Sequence, residues 1–283
     1  GSLSSLLPML AEASPHVFLD AVEKAAATTP CAFDELFSQE GNGPTGGNYL
    51  AGLLWALEGL AWDPDLLVRV SVALGDVASH DPGGTWTNRP SNSLVSILLP
   101  WMPQTLAPIE KRSAAVRTLL TEQPSVGWNL LLQLLPDQHR ISTGTHRPRW
   151  RKTIPVGWEK GVSRQEYADQ TITYANLAVA VARNDPKKLA QLASRLDHLP
   201  LDSFDALLAS LGSPEMARMP EDQRREIWGA LTKFARKHRR FSDAQWALPA
   251  DRVAAVEDAA RSLAPTSAFA LYQHLFNESD FDL

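Results

Sequence analysis

The chain has 283 residues, of which 44% are hydrophobic and 21% charged, and its formal net charge at pH 7 is −5. At this length one hydrophobic core stops growing, so two domains or an elongated array are expected. The single cysteine excludes an intramolecular disulfide and a zinc site built from several cysteines. No apolar run approaches the roughly 18 residues that a transmembrane helix needs. We therefore expect a cytoplasmic protein with no membrane partner.

Apolar residues recur at helical spacing through the first half of the chain, and prolines mark many predicted helix starts. At Ser14-Pro15 a capping residue precedes a proline, which ends one helix and begins the next. Pro90, in a glycine-containing loop, predicts the absence of a helix there. Trp55 and Trp62 are predicted to pack in the core or between helices. The predicted helices cover residues 3–13, 15–28, 33–37, 49–61, 63–79, 93–101, 109–122 and 125–135.

The second half repeats this pattern, and no segment shows the period-2 alternation of a strand. Its predicted helices cover residues 163–184, 186–198, 202–211, 221–239, 251–263 and 266–276. Helix pairs with irregularly spaced starts predict an all-α protein, an α-solenoid of irregular helical hairpins that forms a HEAT-like or tetratricopeptide-like superhelix. Residues 1–136 and 163–283 would be its two helical-repeat halves, and residues 137–162 a basic irregular loop that connects them.

Residues 139–152, the basic segment, carry five Lys or Arg residues and no acidic residue. The surrounding charge differs, because residues 1–136 have a net charge of −7 and residues 137–161 a net charge of +4. Arginine binds phosphate or carboxylate through paired hydrogen bonds, and tryptophan stacks on planar groups. The candidates for binding a partner or an anion are Arg140, His146, Arg147, Arg149, Trp150, Arg151 and Lys152, together with Arg89.

The basic segment has a second interpretation, in which it anchors the fold. A long ordered loop must satisfy its backbone polar groups, and the acidic helix ends of residues 1–136 offer complementary charge. We expect Arg147 and Arg149, on either side of Pro148, to point in different directions, with at least one turned back onto the preceding helices. The negative charge of residues 1–136 favours this anchoring interpretation.

Catalytic and metal-binding motifs are not found. None of the seven histidines lies at a persuasive metal spacing, and no Gly-Lys-Ser/Thr phosphate loop is present. Cys31 lies at a helix start, and with no identifiable His or Asn partner it is predicted to be structural. We therefore expect no catalytic residue, no cofactor and no metal. A hydrolase that combines His80 and Asp81 with His139 and His146 remains an alternative.

Several short sequences between residues 50 and 152 carry a resemblance to a known family. They are LLWALEGLAWDPDLLVRVSVALGDVASHD at 53–81, NRPSNSL at 88–94, LPWMPQT at 99–105, VGW at 126–128 and THRPRW at 145–150. Together they resemble large bacterial antiviral STAND NTPases, which join an N-terminal effector and a P-loop ATPase to a C-terminal helical-repeat sensor. The resemblance implies that this chain is part of the C-terminal sensor or scaffold region, with the ATP chemistry elsewhere.

These observations support three hypotheses from different classes. The first is a non-enzymatic recognition module of a bacterial anti-phage immune receptor, which binds a phage protein or other domains of the same receptor. The second is a helical module that binds nucleic acid or a nucleotide through the basic segment, for which steep salt dependence would be diagnostic. The third is the hydrolase. We expect the first, and no enzymatic activity.

Overall fold

The computed structural model describes residues 3–38, 50–84, 87–137, 141–142, 144–151, 153–267 and 271. Every regular element in these ranges is an α-helix or a 3-10 helix, and they contain no strand, which confirms the prediction of an all-α protein. The chain divides into two compact units, residues 1–174 and 175–283. This boundary lies inside one long helix, whereas the sequence suggests halves separated by residues 137–162.

In its described part, the first unit consists of α-helices and two 3-10 turns, Ser4–Leu6 and Trp158–Lys160. The α-helices are α1 (Leu7–Ala13), α2 (Pro15–Ala26), α3 (Asp34–Ser38), α4 (Ala51–Leu60), α5 (Leu67–Ser79), α6 (Pro90–Leu98), α7 (Ile109–Glu122), α8 (Pro124–Leu134) and α9 (Arg164–Ala182), which continues past the boundary. Helix α5 is central, since it packs against α2, α4, α6, α7 and α8.

The core of the first unit follows from the apolar periodicity of these helices. Leu74 and Val77 of α5, Ile97 of α6, and Leu119 of α7 are fully buried. Burying one such side chain stabilises the fold by about 1.5–3 kcal/mol. Helix α4 is apolar on nearly all sides and packs against α1, α5 and α6. The neighbouring ends of α1 and α4 form the base on which the basic segment lies.

Prolines begin helices in the first unit as predicted at Pro15 and Pro124, but Pro90 corrects the sequence analysis. Pro90 is the first residue of α6, where the sequence predicts no helix before residue 93. A proline fits there because the N–H of a first-turn residue has no intrahelical acceptor. The preceding Arg89 is extended, with φ −122° and ψ 146°, as a residue before proline prefers.

Close packing and polar contacts join the helices α6 to α9 of the first unit. A Cβ atom added at Gly127 of α8 would lie 2.7 Å from the backbone nitrogen of Leu120, so the two helices approach there at backbone distance. Arg112 of α7 is completely buried, and its Nη2 donates to Oε1 of Glu166 at 2.5 Å. Tyr174, also completely buried, donates to the carbonyl oxygen of Leu98 at 3.3 Å.

In the second unit, after the end of α9, the described helices are α10 (Pro186–Ala193), α11 (Leu201–Leu211), α12 (Pro214–Ala217), α13 (Glu221–Arg240) and α14 (Ala250–Leu263), with a 3-10 turn at Leu196–His198. Helix α13 packs against α10 and α14, and its Ile227 and Leu231 are fully buried. Asp185 caps α10 by accepting the backbone N–H groups of Lys187 and Lys188. The predicted helix over 266–276 lies largely outside the described residues.

None of the described helices is both long enough and apolar enough to cross a bilayer.

Candidate functional site

The described part of the basic segment, residues 141–142 and 144–151, has no regular secondary structure, but its backbone is bound to the first unit. Glu12, near the end of α1, is 6% exposed and accepts three consecutive N–H groups. Its Oε1 accepts from Arg149 N at 2.6 Å, and its Oε2 accepts from Trp150 N at 2.8 Å and from Arg151 N at 3.2 Å. One carboxylate therefore holds three residues of the segment by their main chain.

A second carboxylate, Glu58 of α4, holds the segment at His146. Its Oε2 accepts the backbone N–H of His146 at 2.8 Å, and its Oε1 accepts the hydroxyl of Ser93 at 2.6 Å. The carbonyl oxygen of His146 in turn accepts the indole N–H of Trp62 at 3.1 Å. Trp62 is only 1% exposed, so the predicted core position is confirmed and its polar N–H has found a partner.

The two carboxyl groups are shifted in opposite directions. Burial favours the neutral form of Glu12, but the N–H groups of Arg149, Trp150 and Arg151, with the nearby His146, outweigh it and lower the pKa of Glu12 below its ordinary 4.5. Burial raises the pKa of Glu58, because only one backbone N–H and the Ser93 hydroxyl oppose it. The balance between burial and hydrogen-bond donors therefore sets the direction of each pKa shift.

Arg147 turns towards aromatic rings. Its guanidinium carbon lies 4.7 Å from the ring centroid of Trp158 and 5.9 Å from that of Trp62. The two indoles meet edge to face with centroids 4.6 Å apart. A guanidinium over indole faces is attracted by the ring quadrupole, typically by about 0.5–1 kcal/mol at an exposed site. Arg147 thus closes one end of the segment against the 3-10 turn at Trp158–Lys160.

Arg149 and Trp150 present their side chains outward from the same anchored backbone. Trp150 is 58% exposed, and the Arg149 side chain makes no ion pair with any described residue. Arg151, in contrast, contacts the first unit through its side chain. Its Nε donates to the Glu12 carbonyl oxygen at 3.3 Å, and its Nη1 lies 3.6 Å from Oδ2 of Asp63. An arginine and a tryptophan are therefore exposed on a backbone that three hydrogen bonds fix.

The structure corrects which atoms of the basic segment make the anchoring contacts. The sequence assigns the anchor to the side chains of Arg147 and Arg149, whereas the structure places the acidic groups on backbone N–H donors. Because Glu12 binds backbone N–H groups, the side chains of Arg149 and Trp150 are not fixed by the anchor. Arg147 turns back as expected, but onto indole rings, and Arg149 points away.

The other predicted binding residues fall into two groups. Arg140 and Lys152 lie outside the described residues. Arg89 is 6% exposed, and its Nη1 donates to Oδ1 of Asp81 at 2.7 Å, so its side chain is part of a buried ion pair. The ring of His146 lies close to parallel with that of Trp55, at a centroid distance of 6.0 Å. Burial lowers the pKa of His146 below its ordinary 6.5, which favours the neutral imidazole.

A polar cleft of about 470 Å³ lies beside His146. Trp55, predicted to pack in the core or between helices, is 42% exposed and forms one wall of this cleft. Glu58, Ser93 and Asn92 contribute polar groups to its lining. Glu58 and Ser93 bond each other, and the Trp55 indole stacks on His146, so these lining groups already have partners.

The groups proposed for a hydrolase do not come together in the described chain. Nδ1 of His80 lies 3.1 Å from Oδ1 of Asp34, Asp81 pairs with Arg89, and His146 stacks on Trp55. His139 lies outside the described residues. Cys31, Asp34 and His80, which the sequence does not predict to be neighbours, have potential ligand atoms within 4.8 Å of one another. Only the Cys31-x-x-Asp34 spacing hints at this proximity.

The contacts around the basic segment are thus the structural basis for inferring what the chain does. No protein-family model, no curated protein and no solved structure matches the chain.

Proposed function

We propose that the chain is a non-enzymatic protein-recognition module, in which the basic segment is a preorganised binding loop. The observation that carries this proposal is the set of three backbone N–H bonds to Glu12, which fixes residues 149–151 and leaves Arg149 and Trp150 outward. Arginine and tryptophan are enriched among the side chains that dominate binding energy at protein interfaces. A loop that is ordered before binding loses less conformational entropy on association.

The contacts that the basic side chains already make within the chain favour a protein partner over nucleic acid. Among the described arginines of the segment, Arg147 lies over two indoles and Arg151 contacts Asp63 and a carbonyl oxygen. Arg149 alone points away from such partners within the described residues. Binding to a nucleic-acid backbone generally uses several cations along one face. One arginine without an aromatic or acidic partner among the described residues, beside an exposed tryptophan, is better suited to a compact protein contact.

We further propose the wider context that the sequence resemblance implies. In this proposal the helices belong to an α-solenoid of HEAT or tetratricopeptide type, within the sensor region of a cytoplasmic bacterial STAND NTPase-like antiviral receptor. Consecutive helices that pack as pairs, such as α7 with α8 and α13 with α14, support the solenoid. Small-angle scattering tests this part, since an elongated profile is expected and a compact sphere-like profile would contradict it.

The proposed function is tested by partner capture followed by a defined titration. The chain is used as bait in lysates of phage-infected bacteria, and a captured protein is purified and titrated by calorimetry. The double variant Arg149→Ala/Trp150→Ala should weaken binding by at least about 30-fold, which corresponds to the roughly 2 kcal/mol of a single hot-spot side chain. Arg117→Ala, an exposed arginine of α7, is the matched control and should leave the affinity unchanged.

Melting curves separate recognition from stability. The double variant should melt like the unmodified chain, because the Glu12 bonds use backbone atoms. Unchanged affinity in the double variant would refute the proposed surface. Tight binding of arbitrary DNA or RNA, with affinity falling steeply as salt rises, would instead support the nucleic-acid alternative.

A further inference from the structure

Cys31, Asp34 and His80 form a compact cluster away from the basic segment. One potential ligand atom from each lies within 4.8 Å of the other two. Nδ1 of His80 is 3.1 Å from Oδ1 of Asp34. Among the described residues this is the one group of three or more His, Cys, Asp or Glu side chains close enough to share an ion.

The backbone around the cluster is well defined by short-range hydrogen bonds. Asp34 N donates to the carbonyl oxygen of Cys31 at 3.1 Å, which closes one turn and brings the two side chains together. The hydroxyl of Thr28 donates to Ala25 O at 2.8 Å and accepts from Ala32 N at 3.1 Å, which fixes the entry to this turn. The cluster is thus assembled from a tight turn and the end of a long helix.

The surroundings suit a cation. His80 follows the last residue of α5, where the partial negative charge of a helix C-terminus favours positive charge. The Cys31 residue is 5% exposed, while the side chains of Asp34 and His80 are 50% and 37% exposed. The sulfur is therefore shielded from solvent, and an ion can approach from the side of the carboxylate and the imidazole.

We propose that Cys31, Asp34 and His80 bind one Zn²⁺ ion. A thiolate, an imidazole nitrogen and a carboxylate oxygen are the three ligand types that zinc takes in proteins, and three protein ligands leave the fourth tetrahedral position to water or an external ligand. On binding, the Cys31 thiol releases its proton to solvent and its sulfur bonds the metal. Neutral His80 coordinates through Nδ1 and carries its proton on Nε2, so Zn²⁺ replaces the present contact to Asp34.

The donor set discriminates between metals. A thiolate favours zinc over the hard ions Mg²⁺ and Ca²⁺, which prefer oxygen ligands in larger numbers. The alternative is that Cys31 is a small buried side chain beside an ordinary surface His–Asp pair. That alternative predicts no thiolate bond to any metal, which makes the two cases distinguishable by spectroscopy.

The test uses the full chain, stripped with a chelator and kept reduced, titrated with Co²⁺ as a spectroscopic substitute and with Zn²⁺ against a chromophoric chelator. We expect one ion per chain, a sulfur-to-cobalt charge-transfer band that Zn²⁺ abolishes, and a melting temperature that rises with Zn²⁺. Asp34→Asn and His80→Gln should each weaken Zn²⁺ binding by more than roughly 100-fold, beyond the 10–100-fold cost of losing an outer-shell partner.

Control variants make each outcome decisive. His16→Gln, an exposed histidine of α2 outside the cluster, should bind Zn²⁺ like the unmodified chain. Cys31→Ser should abolish the charge-transfer band, and its circular dichroism shows whether the buried position tolerates the change. Absence of the band in the unmodified chain, or unchanged Zn²⁺ affinity in folded Asp34→Asn and His80→Gln, would overturn the proposal.

Discussion

Replacing Glu12 by glutamine should detach the basic segment from α1. The amide has one oxygen, whereas the carboxylate uses one oxygen for Arg149 N and the other for Trp150 N and Arg151 N. In either orientation the NH₂ group of glutamine faces at least one N–H donor. At least one charged hydrogen bond is lost and one backbone donor is left unsatisfied, so we expect the free energy of unfolding to fall by about 1.5–3 kcal/mol.

The same variant has a defined pH dependence. Glu12 has a folded-state pKa below its ordinary 4.5, so its stabilising contribution is complete above 4.5 and is lost as the pH falls through the lower folded value. The difference between the unmodified chain and Glu12→Gln should therefore be largest near neutral pH and shrink in acid. Glutamine does not titrate, which isolates the contribution of this carboxyl group.

Urea unfolding at several pH values measures this difference, and hydrogen exchange reports the bonds directly. The amides of residues 149–151 should lose protection in Glu12→Gln, while the helical core keeps it. Glu122→Gln, at the exposed end of α7, is the matched control and should change stability by less than about 0.5 kcal/mol. If Glu12→Gln unfolded like this control with residues 149–151 still protected, the anchoring role of Glu12 would be refuted.

Three further predictions concern the stability of the first unit, and Gly229 of the second unit provides a control. Glu58→Gln should leave the free energy of unfolding unchanged or raise it at pH 7, and this advantage should shrink in acid. The pKa of Glu58 is raised, so its stabilising contribution is present below pH 4.5 and is lost as the pH rises. Urea unfolding at pH 4 and pH 7 shows whether the advantage changes in this direction. Glu166→Gln should destabilise by roughly 1.5–3 kcal/mol in chemical unfolding, since the completely buried Arg112 loses a charged hydrogen bond to a carboxylate that is 39% exposed. Adding Arg112→Met should recover much of this loss. Gly127→Ala should destabilise by about 1–3 kcal/mol through its clash with the backbone of α7, whereas Gly229→Ala, a helical glycine with open space around it, should stabilise by up to about 1 kcal/mol in the same assay.

The helices could be predicted from the sequence because their signals are local. Apolar spacing alone places α7 at residues 109–122, as the structure has it. The sequence predicts the start of α6 three residues too late, because proline disfavours a helix interior but is favoured in a first turn. The correct bounds of α7 and the wrong start of α6 both follow from residues within one or two helical turns of each other.

The contacts of the site could not be predicted because they join distant parts of the chain. Glu12 and the residues it binds are separated by 137 to 139 positions, and His80 and Asp34 by 46. A lone glutamate in a short helix gives no sign that it will accept three N–H groups. The sequence alone does indicate residues 139–152 as a candidate site, since their positive charge and their lack of helical or strand periodicity require no knowledge of the fold.

The chemistry of the anchor bears on why the segment is rich in arginine and tryptophan. Backbone N–H groups are present whatever the side chain, so the bonds to Glu12 and Glu58 impose no requirement for arginine at 149 or tryptophan at 150. Pro148, which has no N–H, occupies a position from which neither carboxylate takes a donor. Arg147 has a structural use over the indoles, but Arg149 and Trp150 have none among the described contacts of their side chains. The proposed recognition surface therefore rests on this pair, whose side chains the described part of the fold does not use.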